Sequence, residues 1–196
     1  MESEVIYPMR NSKDLSDFVV GVIALCGGKV AGKTRLQKTV YLIQRLTETN
    51  FFRFGYHYYG PYSVDLVAAV DGAQDGGRIQ ADMRVGYYNI PYVMYKTDER
   101  TPDRLAGRSV TKIRGWLKKF DEVDTIVLEL AATWLFLRCD EGIPTNKIQP
   151  LLRQLKPQKA TDDRLNKALS LLKSLNLVSQ KSPRLRQRMI SGRAAT

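Results

Sequence analysis

The chain has 196 residues, enough for one good core or two small subdomains sharing one. Its 43% apolar and 26% charged residues are ordinary for a globular protein, and no apolar run approaches the roughly 18 residues that cross a bilayer. Thirty-one basic against twenty acidic residues give +11, an excess that suits a phosphate backbone or another polyanion.

The excess is lopsided: residues 97–196 hold 20 basic and 11 acidic side chains, residues 1–96 only 11 and 9. The opening MESEVIYPMR is acidic and has no apolar stretch, so no secretory signal is expected there. Cys26 and Cys139 lie in apolar surroundings without a CxxC or histidine partners. They read as buried, reduced thiols of a cytoplasmic protein.

In chain order, residues 14–26 place Leu15, Phe18, Val19, Val22, Leu25 and Cys26 on one helical stripe. The same run is apolar enough for a buried strand, so periodicity leaves both open. The next stretch, CGGKVAGKT (26–34), matches a Walker A, with Gly27 and then Gly32-Lys33-Thr34 at the required spacing. Residues 33–48 form an amphipathic helix with Leu36, Val40, Ile43 and Leu46 inward and Thr34, Lys38, Tyr41, Arg45 and Glu48 outward.

The period then becomes two. Phe52, Phe54, Tyr56 and Tyr58 alternate with Arg53, Gly55 and His57, predicting a strand that Gly60-Pro61 ends. Pro61 or Ser63 opens a helix through about Val70, closed by Gly76-Gly77. Residues 78–96 alternate twice around a turn near Gly86, a hairpin whose second strand Pro91 places at an edge. The order helix, helix, strand, helix, hairpin is similar to an elaborated winged helix.

Beyond a charged connection, a basic helix is predicted around 110–120. Residues 122–138 are apolar nearly all round, the mark of a buried central helix. A shorter helix follows at 145–155, interrupted or started by Pro150. Thr161 then caps a last helix with Asp162 and Asp163 in its first turn. The tail KSPRLRQRMISGRAAT has five basic residues and no acid, and its composition reads as disordered.

A working P-loop needs a parallel sheet of repeated βα units and an acidic residue ending a buried strand. The strand-like segments here alternate and are joined by hairpins, which means antiparallel pairing. His57 has no second imidazole or cysteine cluster for a metal, and no nucleophile or carboxylate beside it. No enzyme, cofactor, metal or membrane partner is expected.

GKTRLQKTVYLIQ (32–44) and FGYHYYGPYSVDL (54–66), followed by GGRI, together resemble the YwgA-like proteins, relatives of the Panacea or SocA-like antitoxin domain group. There a K-[TL]-x-LQK-x-x-Y-L helix precedes a strand ending in YGPYS or GPV, then a helix and a short G-x-I strand. The segment KPQKATDDRLNKALSLLKSLNLV is similar to that group's closing helix. The resemblance implies that GKTRLQK begins a helix, so the Walker A match is accidental. It also implies antitoxin or adaptor roles, one of them presenting a toxin to a protease, in phage, plasmid and defence neighbourhoods. The motif residues Gln37, His57, Tyr58, Tyr59, Gly60, Pro61, Tyr62 and Ser63 would then form a partner surface.

The expectation is an α+β, mainly helical protein with winged-helix-like units and a small antiparallel sheet. A winged-helix-like part spans 1–100, a helical part 101–180 and a basic tail 181–196. The leading function is non-enzymatic nucleic-acid binding, DNA foremost, in a mobile-element or defence context. Lys29, Lys33, Arg35, Lys38, Arg45 and the tail's Arg184, Arg186 and Arg188 would neutralise phosphates. The alternatives are an antitoxin or adaptor module with a protein partner encoded nearby, and, trailing, a P-loop nucleotidase.

Overall fold

The computed structural model describes residues 11–86 and 89–178. The fold is α+β and mainly helical, with a small antiparallel sheet.

Helix α1 (Ser12–Leu25) starts at Asn11, whose side chain accepts from the Lys13 N–H. Every residue from Phe18 to Leu25 is buried, so the helix-or-strand ambiguity resolves to a core helix. Gly27 and Gly28, at φ 78° and 77°, turn the chain into β1 (Lys29–Ala31). This strand was invisible in the sequence, because three residues with one buried side chain carry no period. Helix α2 (Lys33–Thr47) follows directly.

The strand expected over 52–58 is corrected to a tight hairpin of β2 (Gly55–His57) and β3 (Gly60–Tyr62). Tyr58-Tyr59 form its loop, and Gly60-Pro61 begin the returning strand instead of ending the first. Ser63 then caps α3 (Val64–Asp75) by accepting from the Leu66 N–H.

Strands β4 (Gln80–Val85) and β5 (Pro91–Lys96) make the expected antiparallel pair. The edge position expected for the second strand is wrong, since the order is β1-β5-β4 and β5 lies in the middle. Pro91 is tolerated because β1 pairs only Met94–Lys96, at the far end of β5. A two-residue pair, β6 (Arg104–Leu105) and β7 (Arg108–Ser109), precedes α4 (Val110–Asp121).

Helix α5 (Thr125–Cys139) is buried continuously from Val127 to Leu137, as its all-round apolar sequence predicts. Pro150 lies inside α6 (Thr145–Leu155), and Thr161 caps α7 (Asp162–Ser174). α5 packs on α2, α6, α7 and β3, and α1 packs on α3. One apolar cluster runs from Phe18 through Leu175, so both halves of the chain contribute to it. Among the described residues no helix is long and apolar enough to cross a membrane. The expected burial of both thiols is corrected: Cys26 is half-buried and Cys139 exposed.

Candidate functional site

The two segments that carry the family resemblance interlock. The Gln37 side chain donates to the Ser63 carbonyl at 3.0 Å and accepts from the Ser63 N–H at 2.9 Å, standing in for a neighbouring strand. The next residue, Lys38, donates from Nζ to the Pro61 carbonyl at 2.7 Å. Gly60 fits where nothing larger does, since a Cβ there would come within 2.1 Å of Thr133 Oγ1 on α5. Gln37, Gly60, Pro61 and Ser63 are all buried, which corrects their placement on a partner surface. They hold the β2–β3 hairpin against α2 and α5.

Beneath that hairpin lies a buried charge cluster. Glu129 of α5, 2% exposed, accepts from Lys156 Nζ at 2.7 Å and from Lys159 Nζ at 2.9 Å. Lys156 also donates to the Tyr58 carbonyl at 2.6 Å, so the cluster grips the hairpin loop itself. Sequence reasoning passed over all three residues. A signal existed, because one carboxylate inside an otherwise apolar helix calls for a buried cation.

Lys38 belongs to the same neighbourhood and lacks a carboxylate of its own. Burial pushes its ammonium down from 10.5 to about 7; Glu129 opposes that shift, while Lys156 and Lys159 reinforce it. Between those values the unfolded chain binds more protons than the folded one, so this lysine makes stability rise with pH. Cys26, pushed up by burial from 9.0 to about 12, acts oppositely above its unfolded value. The usable window is therefore about pH 7 to 9. Urea unfolding across it should show a rise in stability that Lys38→Met flattens. Equal slopes in the two proteins would mean that Lys38 keeps its ordinary ionisation.

The hairpin's outer side is a different surface. Tyr58 is 73% and Tyr59 45% exposed, their rings edge to face at 5.0 Å. Lys156 Nζ sits 6.0 Å from the Tyr58 ring centroid and Lys159 Nζ 4.5 Å from that of Tyr59. Tyr56 is also exposed, and His57 lies 5.0 Å from the half-buried Tyr62 ring, which Lys33 approaches at 5.8 Å. Aromatic faces thus line the hairpin's outer side, with Lys33 exposed at its margin, Lys159 partly exposed and Lys156 enclosed beneath.

The expected basic face of α2 is not assembled. Lys38 is 1% exposed and turned into the protein, so its outward placement and its phosphate role are corrected. Tyr41, also 1% exposed, donates to Asp140 at 2.8 Å and is corrected with it. Arg45 pairs with Asp140. Arg35 donates to the Phe120 and Val123 carbonyls and pairs with Asp121, closing the end of α4. Of the five basic residues from Lys29 to Arg45, only Lys29 and Lys33 are exposed. Arg184, Arg186 and Arg188 lie outside the described residues.

Nor does the Walker-like stretch form a phosphate cradle. Its glycine amides are already used: Gly27 N–H donates to Ala24 O, Gly28 N–H to Ile23 O and Gly32 N–H to Val93 O, while β1 pairs with β5. A helix, not a strand, precedes it, and Lys33 opens α2. Among the described residues, no group of three or more His, Cys, Asp and Glu is placed to hold a metal.

No family model matches the chain. It is 22% identical over 154 residues to the Bacillus subtilis (strain 168) protein YwgA, itself uncharacterized; the match covers 77% of this chain and 90% of that relative. The match supports the YwgA-like resemblance but not the Panacea or SocA-like one. Over most of its length, the chain is similar to YwgA.

Proposed function

We propose that this chain binds nucleic acid, DNA foremost and single strands ahead of duplex, through the outer side of the β2–β3 hairpin. The observation that carries the reading is the pair Tyr58 and Tyr59, held out on a two-residue loop with lysines against their rings. Exposed aromatic rings offer bases a stacking platform; Lys156 and Lys159 beneath them are already paired with Glu129, so phosphate attraction falls to exposed cations such as Lys33. The buried interlock fits the reading, since a stacking platform works only if its backbone cannot collapse. The net charge of +11 supports it too. So does the arrangement of α1, β1, α2, α3 and the β4–β5 ribbon, which we read as winged-helix-like.

A protein partner gripping the same tyrosines is the second reading, favoured by the size of their exposed apolar faces. One titration separates the two. Fluorescence anisotropy with a labelled single-stranded DNA should show affinity that falls with salt, by roughly 0.7 log unit per log unit of salt for each phosphate contacted. Tyr58→Ala with Tyr59→Ala should weaken binding about tenfold or more, since stacking contributes roughly 1–3 kcal/mol per base. Lys33→Ala should lower the salt slope and leave the stacking intact. Binding unmoved by the tyrosine pair, or absent at physiological salt, would sink the nucleic-acid reading and favour the protein partner.

A further inference from the structure

Strand β4 is an edge of the three-stranded sheet, and it is open on both faces. Its root is anchored where Ala81 pairs with the buried Tyr95, but the distal part overhangs the body. Met83 and Val85 there are 70% and 67% exposed. An exposed edge strand with apolar side chains is a template for pairing with another chain.

The backbone shows which groups are free. Gly86 N–H donates to Ile90 O, and Arg84, Asp82 and Gln80 follow in step opposite Tyr92, Met94 and Lys96. Antiparallel pairs alternate, so these four residues direct their backbone groups toward β5. Ala81, Met83 and Val85 direct theirs along the open edge.

The sequence of that edge is self-complementary. In a two-fold antiparallel pairing centred on Met83, each Met83 exchanges backbone hydrogen bonds with its counterpart. Ala81 then lies opposite Val85 of the second copy, again a hydrogen-bonded position. Asp82 lies opposite Arg84 of the second copy, in a non-hydrogen-bonded pair where side chains come closest. Two-fold symmetry repeats that contact. Within one chain Asp82 accepts from Lys96 at 2.5 Å and, more weakly, from its own Arg84 at 3.4 Å, so the pairing exchanges that long Arg84 contact for the second copy's arginine.

We infer that this chain self-associates through β4, two copies joining edge to edge about Met83 into one six-stranded antiparallel sheet. The occupant is a second copy because backbone direction, charge order and apolar positions all match under one symmetry operation. The inference is independent of nucleic-acid binding.

Sedimentation velocity on the full chain over a micromolar concentration series tests it. The wild type should show a concentration-dependent dimer. Arg84→Glu and Asp82→Lys should each weaken it about tenfold or more, because each places like charges at two symmetric contacts. An equimolar mixture of the two variants should restore it, since opposite charges then meet at both contacts. Met83→Pro, which removes an N–H facing the open edge, should be monomeric with its thermal midpoint retained. A wild type monomeric throughout, a mixture no tighter than either variant, or a dimer indifferent to Met83→Pro would each overturn the pairing.

Discussion

Glu129→Gln should lower the free energy of unfolding by about 3–5 kcal/mol in urea titration at neutral pH, the loss typical when one member of a buried ion pair is removed. The carboxylate is 2% exposed and is the acceptor for Lys156, whose side chain is also 2% exposed, and for the partly exposed Lys159. Glutamine keeps the shape and some hydrogen bonding but not the charge. Lys156 would then face Lys38 and Lys159 with no anion between them. Against a total stability of about 5–15 kcal/mol for an ordinary domain, that loss is large.

The effect should also be asymmetric. Glu129→Gln combined with Lys156→Met should be less damaging than Glu129→Gln alone, because removing both charges removes the unpaired one. A single variant within about 1 kcal/mol of the wild type would show that water reaches the cluster, so that neither ion depends on the other.

What the sequence made legible follows from where water lies. Helices α5 and α7 announce themselves because one is fully enclosed and the other wet on one clear side, whereas the apolar run of α1 left helix and strand both open. Helix α2 misled for a specific reason. An amphipathic reading assumes that polar side chains mark the wet face, yet Leu36 through Gln44 are all buried. The β2–β3 hairpin and α5 cover what the sequence offered as an outer stripe, and Gln37 and Lys38 are polar because they bond the hairpin's backbone.

The arginines misled in the same way. Arg35, Arg45 and Arg78 all find carboxylates distant in sequence, so their positions along the chain did not mark free surface cations, although such pairing leaves the net charge unchanged. Strands β1, β6 and β7 are two or three residues long and are set by their partners, too short for alternation to register. The YGPYS and LQK segments could be recognised as motifs. That they belong to one buried contact required the fold.

Gly60→Ala should cost about 3 kcal/mol, from two sources that act on one atom. At φ 80° any L side chain is strained, by roughly 1–2 kcal/mol. The added Cβ would also stand 2.1 Å from Thr133 Oγ1 and 3.3 Å from Thr133 Cβ, an overlap of the kind that costs about 1–3 kcal/mol in a packed core. Thr133 is fully buried, and its hydroxyl is tied to the Glu129 carbonyl at 2.7 Å, so it has little room to turn away.

Thr133→Ala in the same chain should recover part of the loss, since it removes the oxygen but leaves the φ strain and the 3.3 Å contact with Thr133 Cβ. The double-mutant cycle therefore reads the clash separately from the backbone. If binding depends on the hairpin as proposed, Gly60→Ala should weaken single-stranded DNA binding even at temperatures where the chain remains folded. It does so by lifting β3 from α5 and moving Tyr58 and Tyr59 off the lysines beneath them. A variant as stable as the wild type would mean that the hairpin shifts without resistance, and a platform free to shift cannot be what orients those two rings.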